Sequence, residues 1–435
     1  MRAGASSIPQ RRRPRSRRRG VVAVQVVIML VVILGFAALT IDIGNVYRAR
    51  GELQRAADSG ALAGVSAFLG DNMLEALQSG YDGAPDPALI DPIHDSAGTR
   101  AVAYSEKNKT LQTPTKVEDG DVVLGHFDFS DPGADLDAEA DPANFNAVAL
   151  TVRRTSDGTN GGVPYWFARV FGLSDGQSAA TATAAFDDRF SGYREDDRGN
   201  YLIPFTIHID EYENQFHNGD DDWSYDGGND DVNQTGDGIR EIKLFPYKLS
   251  GGGNGNNNGN GNGNGNGKKG GGGGSTGDDG DQQGGSGNFG LLNIGNPNQG
   301  VPLIEDQIID GVTADNLEAE VGTNTLTFFD EDGDEKTYDI TGSPGMKVGV
   351  EDAVEERIGD IVGFFVHDQV TDGGANCTYR VVGIRFGRLL HIDLTGNPDD
   401  KAIIIQPVIF NAPNILTNPN AAPSGGQVGR LSLVR

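Results

Sequence analysis

Between Val21 and Ile41 the chain carries no charged side chain, and only Gln25, Thr40 and a few small residues interrupt the apolar run. At a rise of about 1.5 Å per residue, a helix of this length covers roughly 30 Å, the thickness of bilayer hydrocarbon. The stretch therefore reads as a membrane-spanning helix. Arg2, Arg11, Arg12, Arg13, Arg15, Arg17, Arg18 and Arg19 precede it with no acid among them, and Asp42 follows it at once. This charge asymmetry predicts a cytoplasmic amino terminus, with everything past Asp42 on the far side of the inner membrane. A cleaved signal peptide shares the basic start and the apolar middle. Its apolar core is typically only about 7–15 residues long and ends at a small-residue site. Here the run is longer and no A-x-A-like site closes it, which favours a retained single-pass anchor.

The formal net charge is −27. Setting aside the eight arginines leaves 27 of the 35 basic residues against 62 acids, or −35 outside the membrane. Such a surface repels nucleic acid, which excludes that class of partner, and it favours solubility and divalent cations. The single cysteine, Cys377, excludes an intramolecular disulfide framework, so stability must come from packing or bound metal.

Residues 1–19 read as a basic cytoplasmic tip without apolar periodicity. Past Asp42 the helix is expected to continue, because Val46, Ala49, Leu53, Ala57, Ala61, Gly64 and Phe68 recur at steps of three and four. Ala56, Gly60, Gly64 and Ala67 form a small-residue face on this continuation. It would admit close approach either by the chain's own sheet or by a second copy of the helix. The run RRRGVVAVQVVIMLVVILGFAALTIDIGNVYRARGELQRAADSGALAGVSAFL resembles the amino-terminal segment of TadG-like proteins of the Tad/Flp pilus-assembly system. The resemblance rests on the basic-Gly entry, the Asp42–Ile43–Gly44 exit and the LQRAAD stretch followed by Ala-Leu-Ala-Gly. It implies a membrane-anchored assembly component with other Tad proteins as partners. Gly20, five residues before Gln25, also resembles the point after which a prepilin peptidase cuts pilin-like proteins. Those sequences usually carry Glu where Gln25 stands, and Gln25 cannot supply that charge.

The expected fold class is α+β. The transmembrane helix and its continuation (20–70) lead into a pilin-like α+β module (71–190). That module holds short helices near 73–77, 96–108 and 165–171, with strands at 122–129, 147–154 and 179–186. FNAVALTVRR and SAATATAAF alternate as half-buried strands do. VPYWFARVFGL followed by AATATAAF again resembles the TadG-like pattern. A β-rich extracytoplasmic domain (200–410) follows, with strands at 202–210, 239–247, 325–329, 336–340, 361–367, 377–386, 389–394 and 402–410, and helices at 302–310 and 348–357. Pro407 points to an edge strand or a bulge. A Gly/Asn-rich tract at 250–288 reads as an inserted loop, and residues 411–435 as a carboxy-terminal tail. NFGLL, GSPGMK, TYRVVGIRFGRLLHIDLTGNP and IIIQPVIF resemble the outer domain of larger TadG-like proteins.

The strongest metal candidate is the set Asp222, Ser224, Asp226, Asp230 and Asn233. It places oxygen donors at positions 1, 3, 5, 9 and 12 of a calcium loop, with Gly227 at the turn. Asn233 replaces the bidentate Glu such a loop needs, and strands rather than helices flank it, so a solvated hairpin tip is the competing reading. Asp330–Asp334 reads as a second acidic turn. The D-x-S-x-S pattern of an integrin-type adhesion site is missing, and so are H-E-x-x-H and a P-loop with its lysine. The six histidines have no ligand spacing, and Cys377 in an apolar strand reads as a small core residue rather than a nucleophile. The missing signatures predict a non-enzymatic protein, and the TadG-like resemblance implies a structural or accessory part of a pilus-assembly apparatus; the acidic turns offer a calcium-dependent surface-binding module as the alternative.

Overall fold

The computed structural model describes residues 19–80, 85–131, 133–196, 199, 201–245, 289–295, 300–344, 348–371, 377–394 and 401–434. The basic tip (1–18) and the Gly/Asn tract (250–288) lie outside the described residues.

Helix α1, Arg19–Val65, is 47 residues long, about 70 Å at the usual rise. Its two halves differ because their sequences do. From Val22 to Ile41 every residue is exposed except Ala38, which is half-buried, so the helix is apolar all round, as a lipid-facing segment must be. It is the one candidate membrane span among the described residues. In the second half Ala49, Leu53, Ala56, Ala57, Ala61 and Val65 are fully buried, at the three- and four-residue steps of one helical face.

That face is covered by the rest of the first module. Helix α2 (Asp71–Ser79) and helix α3 (Ile90–Glu106) are followed by strands β1 (Lys109–Thr110), β2 (Thr113–Pro114), β3 (Val122–Gly125) and β4 (Ala147–Arg154). The short pair β5 (Val163–Pro164) and β6 (Asp175–Gly176) leads into β7 (Ser178–Asp187). Strands β4 and β7 pair antiparallel along their whole length, from Ala147↔Ala185 to Arg154↔Ser178. Ala180, Ala182 and Ala184 of β7 share a core cluster with the buried face of α1, and they are small enough for α1 to lie close on the sheet. Helix α3 closes the other flank. A Cβ added at Gly60 would stand 2.8 Å from the Ala101 carbonyl oxygen and 2.2 Å from Leu150 Cδ2; at Gly64 it would stand 3.2 Å from the Ala97 carbonyl oxygen. The small-residue face is thus filled by the chain's own α3 and β4. Self-association through it, one of the two readings of that face, is corrected, since no surface remains there for a second copy.

The second module opens with β8 (Phe190–Arg194) and β9 (Leu202–His208), then helix α4 (Ile209–Asn218) and the hairpin β10 (Ser224–Asp226) and β11 (Asp231–Asn233). Strands β12 (Ile242–Leu244) and β13 (Phe289–Leu292), helices α5 (Val301–Ile309) and α6 (Ala314–Val321), and strands β14 (Thr325–Thr327) and β15 (Tyr338–Pro344) follow. Helix α7 (Glu351–Glu355) precedes the two longest strands, β16 (Ile361–Thr371) and β17 (Cys377–Asp393), then β18 (Ala402–Pro407), β19 (Phe410–Asn411), β20 (Ile415–Thr417) and β21 (Val428–Leu433). The pairings β17–β15–β13–β9–β16 return to β17, closing five strands into a barrel, with β18 and β12 added along the far half of β17. Leu202, Leu292, Ile340, Phe365, Tyr379 and Val381 belong to one core cluster. The alternate residues Ile203, Phe205, Phe289, Leu291 and Phe364 belong to another, shared with α1, α2, α3 and α4, so one continuous core joins both modules.

Several expectations shift. The two strands expected at 377–386 and 389–394 are one. Gly387 lets β18 approach, since a Cβ there would meet Ile405 Cγ2 at 2.4 Å and the Gln406 carbonyl oxygen at 2.9 Å. Residues 209–218, expected partly as strand, are helical: Ile209, Tyr212 and Phe216 share a face, and Asp210 and Glu211 stand in the first turn with His217 in the last. Helix α6 was not expected either, although its capping box, Thr313 with Asn316, and Gly322 at φ 79° mark both ends. The stretch read as a carboxy-terminal tail carries β21, which pairs antiparallel with β7 from Arg430↔Asp187 to Leu433↔Ala184. The order of the first sheet is β19–β21–β7–β4–β3, so the end of the chain completes the sheet on which α1 lies.

Candidate functional site

Asp42, the first charged residue after the apolar run, is 3 % exposed. Its carboxylate reaches the loop between β5 and β6. Oδ1 accepts from the N–H of Trp166 at 2.7 Å, Oδ2 from that of Ala168 at 2.7 Å, and the N–H of Phe167 lies 3.2 Å from both. One turn on, Asn45 Nδ2 donates to the Pro164 carbonyl at 2.9 Å. A negative charge gripped by three backbone N–H groups is a strong, charge-assisted contact, and it fixes the loop to α1 where the apolar run ends.

The loop itself is a tight structure. The N–H of Tyr165 donates to Ser174 O at 3.1 Å, Val170 to Phe167 O at 3.1 Å and Leu173 to Ala168 O at 3.2 Å. Gly172 sits at φ 84°, a conformation that favours glycine, and ends the 3₁₀ turn Ala168–Phe171. Tyr165 packs over Gly176, where an added Cβ would lie 2.4 Å from the phenol oxygen. At the base, hydrogen bonds from the Ser156 and Ser174 hydroxyls hold the Asp175 carboxyl below its ordinary range. The tip is apolar and uncovered: Trp166, Phe167, Val170, Phe171 and Leu173 are 70, 44, 83, 85 and 58 % exposed.

Two family models match the chain. One, described as Flp pilus-assembly TadE/G-like, matches residues 20–67, and the other, described as Tad-like Flp pilus-assembly, matches residues 83–184. The first covers α1 with Asp42, and the second covers the loop that Asp42 holds. Over these two stretches the chain is similar to Tad/TadG-like proteins. No curated protein and no solved structure matches the chain.

The five residues read as a calcium loop are not brought together as one site. Ser224 and Asn233 oppose each other across the β10–β11 hairpin. Asp226 is spent on its own turn, where the Gly228 N–H at 2.8 Å and Asn229 Nδ2 at 2.6 Å hold its carboxyl below the usual range. Asp230, at φ 56°, accepts instead from the Tyr225 hydroxyl. Tyr225 belongs to the face of the hairpin that packs, with Trp223 and Val232, on Leu390, Ala402 and Ile404. The N–H of Asp222 donates to Glu241, whose carboxyl burial pushes up to about 7. Strand alternation sends the apolar residues to the barrel and the acids to water. Among the described residues no group of three or more His, Cys, Asp or Glu side chains could hold a metal ion.

The second acidic turn is self-capped, with Asp330 Oδ1 accepting from the N–H groups of Asp332 at 3.0 Å and Asp334 at 2.9 Å. Cys377 is buried in the barrel core. His367 is engaged with the Thr206 hydroxyl at 2.9 Å and the rings of Tyr379 and His208, and His391 stacks on Trp223. Gly20, the point of possible peptidase cleavage, lies in the first turn of α1. The site that sequence reasoning missed is the Asp42 contact. Asp42 and the YWFARVFGL run each stand out in the sequence, but 124 residues separate Asp42 from Trp166 and no local pattern joins them.

Proposed function

We propose that the chain is a membrane-anchored, non-enzymatic structural or accessory component of Tad/Flp-type pilus assembly. Its first half-helix spans the cytoplasmic membrane with the amino terminus inside, and both modules stand outside. The observation that carries this reading is the continuity of α1. A uniformly apolar, exposed half runs without a break into a half whose face is the core of the first module. Force or position in the membrane therefore passes directly into the outer body, which suits a part of an envelope assembly. The arginine-rich entry supports the orientation, and the two family matches support the pilus system. Partners are then other Tad components and the inner membrane. The test is fractionation of cells with a carboxy-terminal alkaline phosphatase or fluorescent-protein fusion. Membrane-bound, phosphatase-active and non-fluorescent product is expected. Soluble product, or a carboxy terminus in the cytosol, overturns the reading.

A further inference from the structure

We propose that the loop 165–173 is a lipid-binding wedge that enters the outer-leaflet interface of the bilayer α1 spans, a placement that rests on the anchoring reading above. Three observations lead there. The first is depth. In a helix the side chain leans toward the amino-terminal end, so Asp42 reaches back toward the membrane and covers the turn before its own Cα. The one shielded residue between Val22 and Ile41 is Ala38, one turn before Asp42. The loop thus sits level with the last turn of the apolar run rather than above it.

The second is chemistry. Trp166, Phe167, Val170, Phe171 and Leu173 present an exposed apolar tip, and among them stands the exposed Arg169, whose Nε donates to the Ser174 carbonyl at 3.4 Å. Aromatic residues with an apolar body beside a cation are what membrane interfaces select. The tip continues the exposed apolar surface of α1, which already commits this end of the molecule to lipid. The third is the backbone. Asp42 takes the N–H groups of Trp166, Phe167 and Ala168, and carbonyls within the turn take those of Val170, Gly172 and Leu173. An irregular loop with its polar groups satisfied internally can enter a low-dielectric layer without leaving them unpaired. The wedge gives α1 a second point of attachment and so limits its tilt and sliding.

The test uses the full chain in phospholipid vesicles with Trp223→Phe, which leaves Trp166 as the single tryptophan. Its emission should be blue-shifted in the vesicles, lipids brominated near the head of the acyl chain should quench it more than lipids brominated near the chain end, and Asp42→Ala should reduce the quenching. In a Trp166→Phe, Trp223→Phe background, Phe171→Trp should report the same depth from the other side of the tip. Protein that floats with the vesicles while both reporters stay water-exposed and unquenched overturns the wedge and leaves the anchor standing. A blue shift seen only with other membrane proteins present, without quenching by lipid, assigns the tip to a protein partner and also overturns it. Protein that fails to float overturns anchor and wedge together.

Discussion

Gly60 and Gly51 lie in the same helix, yet the same substitution should move stability in opposite directions. Replacing a helical glycine by alanine gains about 1 kcal/mol from backbone propensity alone. At Gly51 an added Cβ meets nothing within 4 Å, so Gly51→Ala should realise that gain. At Gly60 the added Cβ would lie 2.2 Å from Leu150 Cδ2, 2.8 Å from the Ala101 carbonyl oxygen and 3.0 Å from Ser105 Cβ. Leu150 can turn aside, but the carbonyl belongs to α3, which must retreat as a body to reach ordinary contact. A gap of about 0.5–1 Å forfeits a quarter to a half of each dispersion contact along the seam, and overpacking of this kind costs about 1–3 kcal/mol. Subtracting the propensity gain leaves Gly60→Ala less stable by up to about 2 kcal/mol, and the two variants separated by about 1–3 kcal/mol. Urea unfolding of the full chain in nanodiscs, followed by circular dichroism, reads the difference as opposite shifts in midpoint. A Gly60→Ala midpoint at or above that of the parent would show that α1 and α3 do not meet as described. A shift that varied with protein concentration would place the seam between molecules.

Other outcomes follow from the same contacts. Asp42→Ala leaves the N–H groups of three loop residues without their acceptor, at a cost of about 1–3 kcal/mol, and should speed hydrogen exchange at 165–174 while leaving exchange in β4 unchanged. Burial, with His208 beside it, pushes the pKa of His367 down to about 3, so below about pH 6.5 the unfolded chain takes a proton the folded chain refuses. Stability should therefore fall with pH, by about 2 kcal/mol between pH 7 and pH 5, and the slope should flatten in His367→Asn; a slope unchanged in that variant refutes the assignment. Deleting residues 428–435 removes the partner of β7 and should yield aggregating protein, since an apolar strand edge is left open; a monomeric, fully folded product would show that the end of the chain is only a tail. Calcium titrated into the full chain should produce no binding heat attributable to 222–233, because Asp226 and Asp230 are engaged separately; heat lost in Asp226→Asn would show that the hairpin reorganises around the ion.

What the amino-acid order settles by itself is whatever depends on a short repeat. An uncharged run of membrane length, the three-and-four spacing from Ala49 to Val65, and the alternation in Ala147–Arg154 are each properties of a window, and each emerges in the molecule, whereas the alternation in Ser178–Asp187 gives way to burial on both faces from Ala182 on. The helix 209–218 escaped because its three apolar residues sit directly behind a strand and among acids, so its periodicity has too few turns to stand out. Tertiary structure alone decided what meets at a distance: Asp42 with the loop at 166–168, β21 with β7, and β17 with neighbours on both sides to close the barrel. A carboxylate, a strand edge or a small-residue face advertises that it needs a partner, but several partners satisfy the same need equally well locally. Only the packing of the whole chain, which must pair every buried N–H and fill every gap at once, chooses among them.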